Sequence, residues 1–340
     1  MNCNPILVEV LRGDVLESFH RGVVCIVDQD EKLRYSAGDI EQVCYPRSAL
    51  KFFQQIPLLT SGAADALGLS EEEIAITCGS HNGEDMHVKA VDSILRKAGL
   101  DRSALKCGAQ YPTHRKTANA LLVAGQKPEA IHNNCSGKHA GFLAYCVFRG
   151  WDTVDYINPQ HPLQLEIRKL VSAFHKYPEA KLHTALDGCS APIFSIPVYN
   201  QALGYMYLAK FAKEDSELGK ACKRLIDAAG AYPMMIAGTG RYCSDLMAQS
   251  GSRIIGKTGA EGIYSLAFTE EVMGACIKVD DGKMLPQYNV AQKLVRQSGI
   301  LSEAQLTPLD AYEESAITNF NKFETGTLRV NPEILSTPWL

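Results

Sequence analysis

Candidate β-strands lie near both ends of the chain, and candidate helices lie between them. Apolar residues alternate from Ile6, and the apolar run Val23–Val27 leads through a turn at Asp28–Glu31 into residues 32–36, which predicts a hairpin. Near the other end, three further segments have strand patterns: Arg253–Gly256, Ile263–Phe268 and Met273–Val279. Asp280–Gly282 is typical of a hairpin turn. Strands this far apart in the chain predict one antiparallel sheet built from both chain ends.

The middle of the chain has helical periodicity. Apolar residues between Val88 and Ala98 form one helix face that stops near Gly99, and those between Leu163 and Phe174 form another. We therefore predict an α/β protein of the α+β kind, with an antiparallel sheet flanked by helices and a helical lobe. Residues 1–340 would form a single unit with two lobes. The sheet lobe would cover approximately 1–45 and 250–340, and the helical, motif-bearing lobe approximately 46–249.

Composition and charge exclude several classes of protein. With 46% hydrophobic and 21% charged residues, the chain has the composition of a globular protein. Its net charge of -4 gives no excess of basic residues for binding nucleic acid or anionic membranes. Stretches without a polar side chain, such as Ala140–Phe148, are too short to cross a bilayer. The N-terminus lacks the pattern of a secretory signal. The 11 cysteines, an odd number with no C-x-x-C pair, indicate a reducing compartment, and we expect a cytoplasmic protein.

Three short motifs occur in a meaningful order: Ser48-x-x-Lys51, Ser80-His81-Asn82 and Lys257-Thr258-Gly259. Serine β-lactamases and penicillin-binding proteins carry S-x-x-K, S-D-N and K-T-G in this order. Each motif is weak by itself, but the ordered set favours chemistry over coincidence. The pentapeptide Arg-Ser-Ala-Leu-Lys also occurs twice, at 47–51 and 102–106.

The Ser–Lys spacing has a chemical reason. Positions i and i+3 share one face of a helix, and a serine hydroxyl becomes a good nucleophile when a neighbouring base removes its proton. Lys51 is the candidate base for Ser48, and Lys257 is a candidate second lysine that favours the neutral amine. Ser103 lies in a short segment capped by Asp101, so we prefer Ser48 as the nucleophile. Taken alone, Ser48 and Lys51 also fit the solvated face of an amphipathic helix.

Three polar loops precede or join predicted elements: 78–84, 133–139 and 187–192. The first delivers Ser80, His81 and Asn82 just before a helix, which is where functional residues concentrate. The second and third each contain one cysteine, Cys135 and Cys189. From spacing alone, these thiols fit either a soft metal site or inert buried side chains.

Together these strings resemble one family. They are Pro46–Lys51, Gly79–Glu84, Asn134–His139, Asp187–Cys189 and Lys257–Gly262, and they resemble the rhizobial-type L-asparaginases, also called the asparaginase II family. The resemblance covers nearly the whole chain. It implies a serine β-lactamase/glutaminase-like fold. His81 stands where the penicillin-recognising enzymes have the central Asp of their second motif, which favours an amidase over an antibiotic-degrading enzyme.

The resemblance also implies roles for individual residues. Ser48 with Lys51 would be the nucleophile and its activator, and Ser80 with Lys257 would relay protons. Zinc would be the cofactor, held by Cys135, Lys138 and Cys189. The neighbours Arg47, His139 and Asp187 are candidates for orienting the substrate. The family further implies a homodimer.

We therefore expect a cytoplasmic L-asparaginase that hydrolyses L-asparagine to L-aspartate and ammonia through an acyl-enzyme. Zinc would position the substrate, because a serine nucleophile is already present. Two alternatives remain open at this stage. One is a related serine amidohydrolase, a glutaminase or a β-lactamase-like enzyme. The other is a zinc-binding or sensor module without enzymatic activity.

Overall fold

A computed structural model describes residues 3–340 of the protein. In chain order, its strands are β1 (Ile6–Arg12), β2 (Val15–Val27), β3 (Leu33–Ala37), β4 (Val43–Cys44), β5 (Thr184–Leu186), β6 (Pro192–Phe194), β7 (Ile196–Pro197), β8 (Ile254–Gly259), β9 (Ile263–Phe268), β10 (Met273–Val279), β11 (Ser315–Thr318) and β12 (Glu324–Val330). Its α-helices are α1 (Lys51–Thr60), α2 (Ala63–Ala66), α3 (Glu71–Thr77), α4 (Asp85–Lys97), α5 (Arg115–Val123), α6 (Ser136–Arg149), α7 (Pro162–Phe174), α8 (Val198–Phe211), α9 (Glu217–Ala231), α10 (Pro233–Ile236), α11 (Tyr242–Ser250), α12 (Met284–Gln297), α13 (Glu303–Leu306) and α14 (Asp310–Glu313).

These elements form two compact units. The sheet unit comprises the described residues up to Ala49, together with Ile196–Lys210 and Arg253–Leu340. The helical unit comprises Leu50–Ser195 and Phe211–Ser252. The sequence-based division placed residues 196–210 in the helical lobe, whereas the structure places them in the sheet unit.

The sheet unit contains a large antiparallel sheet with the strand order β11-β12-β1-β2-β10-β9-β8, and β3 pairs with residues 24–27 of β2 on the edge opposite β10. A separate two-stranded sheet joins β4 and β7. The long strand β2 joins the two halves: residues 15–21 pair with β1, and residues 22–27 pair with β10. Strand β1 pairs with β12 from the C-terminal end of the chain. The prediction of an α+β protein with a sheet from both chain ends is confirmed.

Helices cover both faces of the sheet at β9. Ser265 Oγ accepts a hydrogen bond of 3.1 Å from Gln201 Nε2 on α8, while the neighbouring Tyr264 packs its ring against Tyr288 of α12, with centroids 5.7 Å apart. Successive side chains of a strand point to opposite faces, so α8 and α12 lie on opposite sides of the sheet. This double cover explains why β8 and β9 are buried along their whole lengths.

Two sequence-based expectations about the sheet unit were wrong or incomplete. Asp280–Gly282 does not join two strands: the Asp281 carboxylate accepts a hydrogen bond of 3.1 Å from the backbone N–H of Lys283, and the chain enters α12. Strands β11 and β12 were not predicted, because they are short or half-exposed and lack a buried apolar alternation.

The helical unit is organised around α1, which packs against α6, α7 and α9. The helix patterns over 88–98 and 163–174 are confirmed as α4 and α7. At the start of α3, Ser70 and Glu73 form the capping box that their spacing indicates. None of the helices within residues 3–340 combines the length and the apolar character needed to cross a membrane.

The close contact between β10 and α8 depends on Gly274. A Cβ atom at this position would lie 2.0 Å from the backbone oxygen of Ala202, an atom that cannot move without shifting α8. We expect Gly274→Ala to lower the free energy of unfolding by about 3 kcal/mol, measured by urea denaturation. Gly188→Ala, whose Cβ would meet no atom within 4 Å, should change it by less than about 0.5 kcal/mol. Equal stability of the two variants would contradict this packing.

Candidate functional site

Two of the predicted site residues in the sheet unit, Arg47 and Ser48, lie in a strained segment. A 3₁₀ helix runs over Arg47–Leu50 directly before α1, and Arg47 has φ +54°. A non-glycine residue in this left-handed region costs about 1–3 kcal/mol and persists where the surrounding structure enforces it, often at active sites. The strain therefore lies directly beside the predicted nucleophile.

Lys257 belongs to the same neighbourhood of the sheet unit. It lies on β8, fully buried, and its Nζ donates a hydrogen bond of 2.8 Å to the backbone oxygen of Thr258. At the end of this strand, a Cβ atom on Gly259 would lie 2.2 Å from the backbone oxygen of Pro46. The glycine of the Lys257–Gly259 motif thus permits close contact with the segment that leads into Arg47 and Ser48.

Lys51, the first residue of α1, is the polar centre of the helical unit. Its side chain is 1% exposed, and its Nζ donates hydrogen bonds to Ser80 Oγ at 3.0 Å, to Asn134 O at 3.3 Å and to Gly79 O. These three contacts use the full hydrogen-bonding capacity of the lysine amine. Lys51 therefore ties the start of α1 to the loop after α3 and to the approach to α6.

Ser80 lies in the predicted loop before α4, and this loop is buried. The backbone N–H of Ser80 donates a hydrogen bond of 2.7 Å to Ile236 O. Next to it, His81 is fully buried: its Nδ1 accepts from the Gly83 N–H at 3.1 Å, so its Nε2–H donates to Ser136 Oγ at 2.9 Å. Burial, followed by the charges of neighbouring groups, lowers the pKa of His81 well below its ordinary value. His81 is thus a neutral structural link between the loop and α6.

Asn82, the third residue of this motif, faces away from Lys51 and binds other loops. Its Oδ1 accepts from Thr113 Oγ1 at 3.1 Å and from Arg241 Nη1 at 3.0 Å, and its Nδ2 donates to Thr239 O at 3.0 Å. The motif therefore contributes one hydroxyl beside Lys51 and two residues that hold the loop in place.

The two candidate metal-binding thiols converge in the helical unit. Cys135 directly precedes α6, Lys138 lies in the first turn of that helix, and Cys189 lies in the turn between β5 and β6. Lys138 Nζ donates to Cys189 Sγ at 3.1 Å, and Cys135 and Cys189 are hydrogen-bonded. Asp187 Oδ2 lies 3.9 Å from Cys189 Sγ. All these groups except Asp187 are nearly completely buried.

The two thiols of this cluster have pKa values that are shifted in opposite directions. The hydrogen bond from Cys135, together with the Lys138 charge, lowers the pKa of Cys189. The same bond and burial raise the pKa of Cys135. Burial alone would lower the pKa of Lys138, but Cys189, Cys135 and Asp187 outweigh it and raise the pKa. These shifts favour the charged forms of Cys189 and Lys138 and the neutral form of Cys135.

The donor set fits a soft divalent cation such as zinc. Two thiols and one amine converge, and zinc prefers sulfur and nitrogen ligands. Within residues 3–340, no three His, Cys, Asp or Glu side chains gather in a metal-binding arrangement, so the third protein ligand of such a site would be the Lys138 amine. The zinc itself remains a prediction.

His139 follows Lys138 on α6 and is fully buried. Its Nδ1 lies 2.6 Å from the hydroxyl of Tyr156, while its Nε2 has no partner within residues 3–340. Burial and the charges of Lys138 and Lys51 lower the pKa of His139 well below its ordinary value, against the opposite effect of Cys135 and Asp187. Sequence reasoning missed Tyr156, because an isolated tyrosine 17 residues away along the chain belongs to no motif.

The predicted site residues are divided between the two units. The sheet unit holds Arg47, Ser48 and Lys257. The helical unit holds Lys51, Ser80, Cys135, Lys138, His139, Asp187 and Cys189. The predicted pairs Ser48–Lys51 and Ser80–Lys257 each have one member in either unit, and they remain predictions. Within the helical unit, Lys51 and Ser80, two of the four predicted catalytic residues, are in direct hydrogen-bond contact.

The sequence profile of the L-asparaginase II family matches residues 8–330 of the chain. The chain belongs to the L-asparaginase II family. Membership of this family implies an amidohydrolase. No curated protein matches the chain.

Solved structures with β-lactamase and glutaminase names also match this L-asparaginase II family member. A β-lactamase from Mycobacterium bovis is 11% identical, with a TM-score of 0.38 over 85% of this chain and 93% of that chain. A Bacillus glutaminase is 11% identical, with a TM-score of 0.38 over 82% of this chain and 91% of that chain. At TM-scores below 0.5, these likenesses carry no conclusion about chemistry.

Burial of neutral histidines makes stability depend on pH. The pKa values of His81 and His87 are lowered, mainly by burial, whereas unfolded histidine takes up a proton near about pH 6.5. The unfolded state therefore binds more protons below this pH, and stability falls as the pH falls. We expect a loss of up to about 1.4 kcal/mol per pH unit for each histidine between pH 6.5 and 5. Urea denaturation at pH 7.0 and 5.5 measures it, and equal stability at both would contradict the buried neutral state.

Proposed function

We propose that this chain is an L-asparaginase, which hydrolyses L-asparagine to L-aspartate and ammonia through an acyl-enzyme. The observation that carries the proposal is the buried Lys51, whose Nζ lies 3.0 Å from Ser80 Oγ beside the thiol cluster of a chain in the L-asparaginase II family. Buried lysines close to serine hydroxyls are the groups that acyl transfer needs for proton movement.

The first half-reaction forms the acyl-enzyme. Ser48 Oγ bonds to the amide carbon of the substrate, and its proton passes to the Lys51 amine. The carbonyl oxygen becomes an oxyanion that backbone N–H groups near the helix start stabilise. The carbon–nitrogen bond then breaks, the leaving nitrogen takes the proton from Lys51, and ammonia departs.

The second half-reaction reverses these roles. Water attacks the ester carbon while Lys51 takes its proton, and this proton returns to Ser48 Oγ as L-aspartate leaves. Lys51 must lose the proton that it shares with Ser80 and two backbone oxygens before it can act as a base. In this proposal Ser80 relays that proton, accepting it while its own hydroxyl proton passes to the Lys257 amine, and the reverse transfer returns it.

Charge complementarity suggests how an amino acid would be held. The Arg47 guanidinium suits the α-carboxylate of the substrate, and the Asp187 carboxylate suits its α-ammonium group. The unpartnered Nε2 of His139 offers a neutral donor to a substrate oxygen. These three residues would orient the amide toward the nucleophile.

Cys135, Lys138 and Cys189 would hold zinc, with Lys138 as the neutral amine. When bound, zinc would supply a Lewis acid that polarises or positions a substrate oxygen. The serine is the nucleophile in this proposal, so a metal-bound hydroxide is not required. We further propose that the enzyme is cytoplasmic, since no disulfide joins its cysteines within residues 3–340, and homodimeric, as the resemblance implies.

The nucleophile is tested by removing single hydroxyls. We expect Ser48→Ala to lower kcat for ammonia release from L-asparagine by at least about a thousandfold, and Ser80→Ala by about a hundredfold. Ser103→Ala is the matched control, because Ser103 occupies the same pentapeptide in its second copy and bonds only to the exposed Asp101 turn. It should retain full activity.

The same assay decides the substrate. Faster release of ammonia from L-glutamine than from L-asparagine, or turnover of nitrocefin, would replace the proposed substrate. A complete loss in Ser80→Ala with activity retained in Ser48→Ala would make Ser80 the nucleophile.

The metal site is tested by metal content. We expect the purified protein to carry about one zinc ion, and Cys135→Ser with Cys189→Ser to remove it, measured by elemental analysis. Cys222→Ser is the control, because Cys222 is buried in α9. Equal zinc in both variants, or full activity with normal KM after exhaustive chelation, would contradict the proposed site.

A further inference from the structure

Tyr156 and His139 form a buried hydrogen-bonded pair inside the helical unit. Both side chains are fully buried, and the Tyr156 hydroxyl lies 2.6 Å from His139 Nδ1. Their rings meet edge to face, with centroids 5.5 Å apart. The contact alone leaves open which group donates, and this decides what the other nitrogen of His139 can do.

The surroundings of the tyrosine settle the direction of this bond. Its oxygen accepts a hydrogen bond of 2.9 Å from the backbone N–H of Lys106. Across residues 3–340, His139 Nδ1 is the one acceptor within hydrogen-bonding distance of this hydroxyl. If His139 donated instead, a buried O–H would have no acceptor, which costs about 1–3 kcal/mol. The tyrosine therefore donates to Nδ1.

A histidine that accepts at Nδ1 carries its proton at Nε2. Nε2 is buried and has no hydrogen-bond partner within residues 3–340. A buried donor without an acceptor is unfavourable in the resting protein. It becomes favourable when a ligand oxygen arrives.

We propose that Tyr156 is a positioning residue that fixes His139 as the Nε2–H tautomer, so that His139 presents a neutral donor to an oxygen of the substrate. The proposal deepens the proposed function and rests on it for the identity of the ligand. Tyr156 is itself held at both ends, since its backbone oxygen accepts a hydrogen bond of 2.8 Å from Gln164 Nε2 and its hydroxyl is held by Lys106. The ring orientation is thus set before substrate binds.

The tautomer can be measured without any turnover. The protein is labelled with 15N-histidine, and the His139 signal is assigned as the one that disappears in His139→Gln. We expect the ring 15N chemical shifts of His139 to be those of the Nε2–H tautomer. Tyr156→Phe should give a mixture of tautomers. Adding L-aspartate should shift Nε2 more than Nδ1. An Nδ1–H signal in the wild-type protein, or an unchanged tautomer in Tyr156→Phe, would overturn the proposal even if the enzyme is an asparaginase.

Kinetics then test whether the tautomer matters for the reaction. We expect Tyr156→Phe to lower kcat/KM for L-asparagine about tenfold, the effect of one lost hydrogen bond. In the His139→Gln background, the same substitution should have less than about a twofold effect, because a glutamine amide keeps its donor without the tyrosine. Additive losses would mean that Tyr156 acts independently of His139.

Tyr145→Phe is the matched control. This tyrosine lies on α6 like His139, but its hydroxyl donates to Glu166 at 2.9 Å and accepts from Arg149 at 2.9 Å, away from the thiol cluster. It should leave kcat/KM and the His139 signals unchanged. If the protein releases no ammonia from any amide, the proposed function fails while the tautomer measurement still decides the role of Tyr156.

Discussion

A buried lysine amine organises the helical unit. Removing such a polar group from water is expensive unless its hydrogen bonds are replaced, and Lys51 replaces them with the oxygens of Gly79, Ser80 and Asn134. These acceptors come from the loop after α3 and from the approach to α6. The geometry of the loops that carry Ser80 and Cys135 is therefore tied to one amine. The same group that would move protons in the reaction also holds the parts of the site together.

The ionisable side chains near this amine are accommodated in two different ways. His81 and His87 are neutral and fully engaged, with each ring nitrogen bonded to a fixed partner. The cluster of Cys135, Lys138 and Cys189 instead keeps charge in the interior by pairing it. Paired charge and neutral histidines together let several ionisable groups share a small buried volume.

Much of this architecture could be predicted from local sequence, because local patterns determine local structure. The strands β9 and β10 have the predicted bounds, and the Ser70 capping box forms as its spacing indicates. Helix α8 was different: its assignment to the sheet unit depends on contacts such as Gln201 with Ser265, which join residues far apart in the chain. The Asp281 turn was misread because an aspartate turn that leads into a helix has the same sequence signature as a hairpin turn.

In the site, too, the sequence does not reveal contacts between residues that are far apart in the chain. Cys135, Lys138 and Cys189 converge, but from spacing alone inert thiols were the preferred interpretation, and only the family resemblance favoured a shared cluster. Tyr156 could not be foreseen, because no periodicity or motif connects it to His139, whereas Lys51 and Ser80 belong to the ordered motif set and do meet. Hydrogen-bond geometry carries this information, and sequence spacing does not.

The path of the chain through the sheet also determines the order in which the protein can be completed during synthesis. Strand β2 forms early, but residues 22–27 pair with β10, and β1 pairs with β12 near the opposite end. Until those late strands leave the ribosome, the N-terminal strands expose unpaired backbone edges. Nearly all of the helical unit emerges during this interval, so the nascent chain carries the helices of Leu50–Ser195 before its sheet can close.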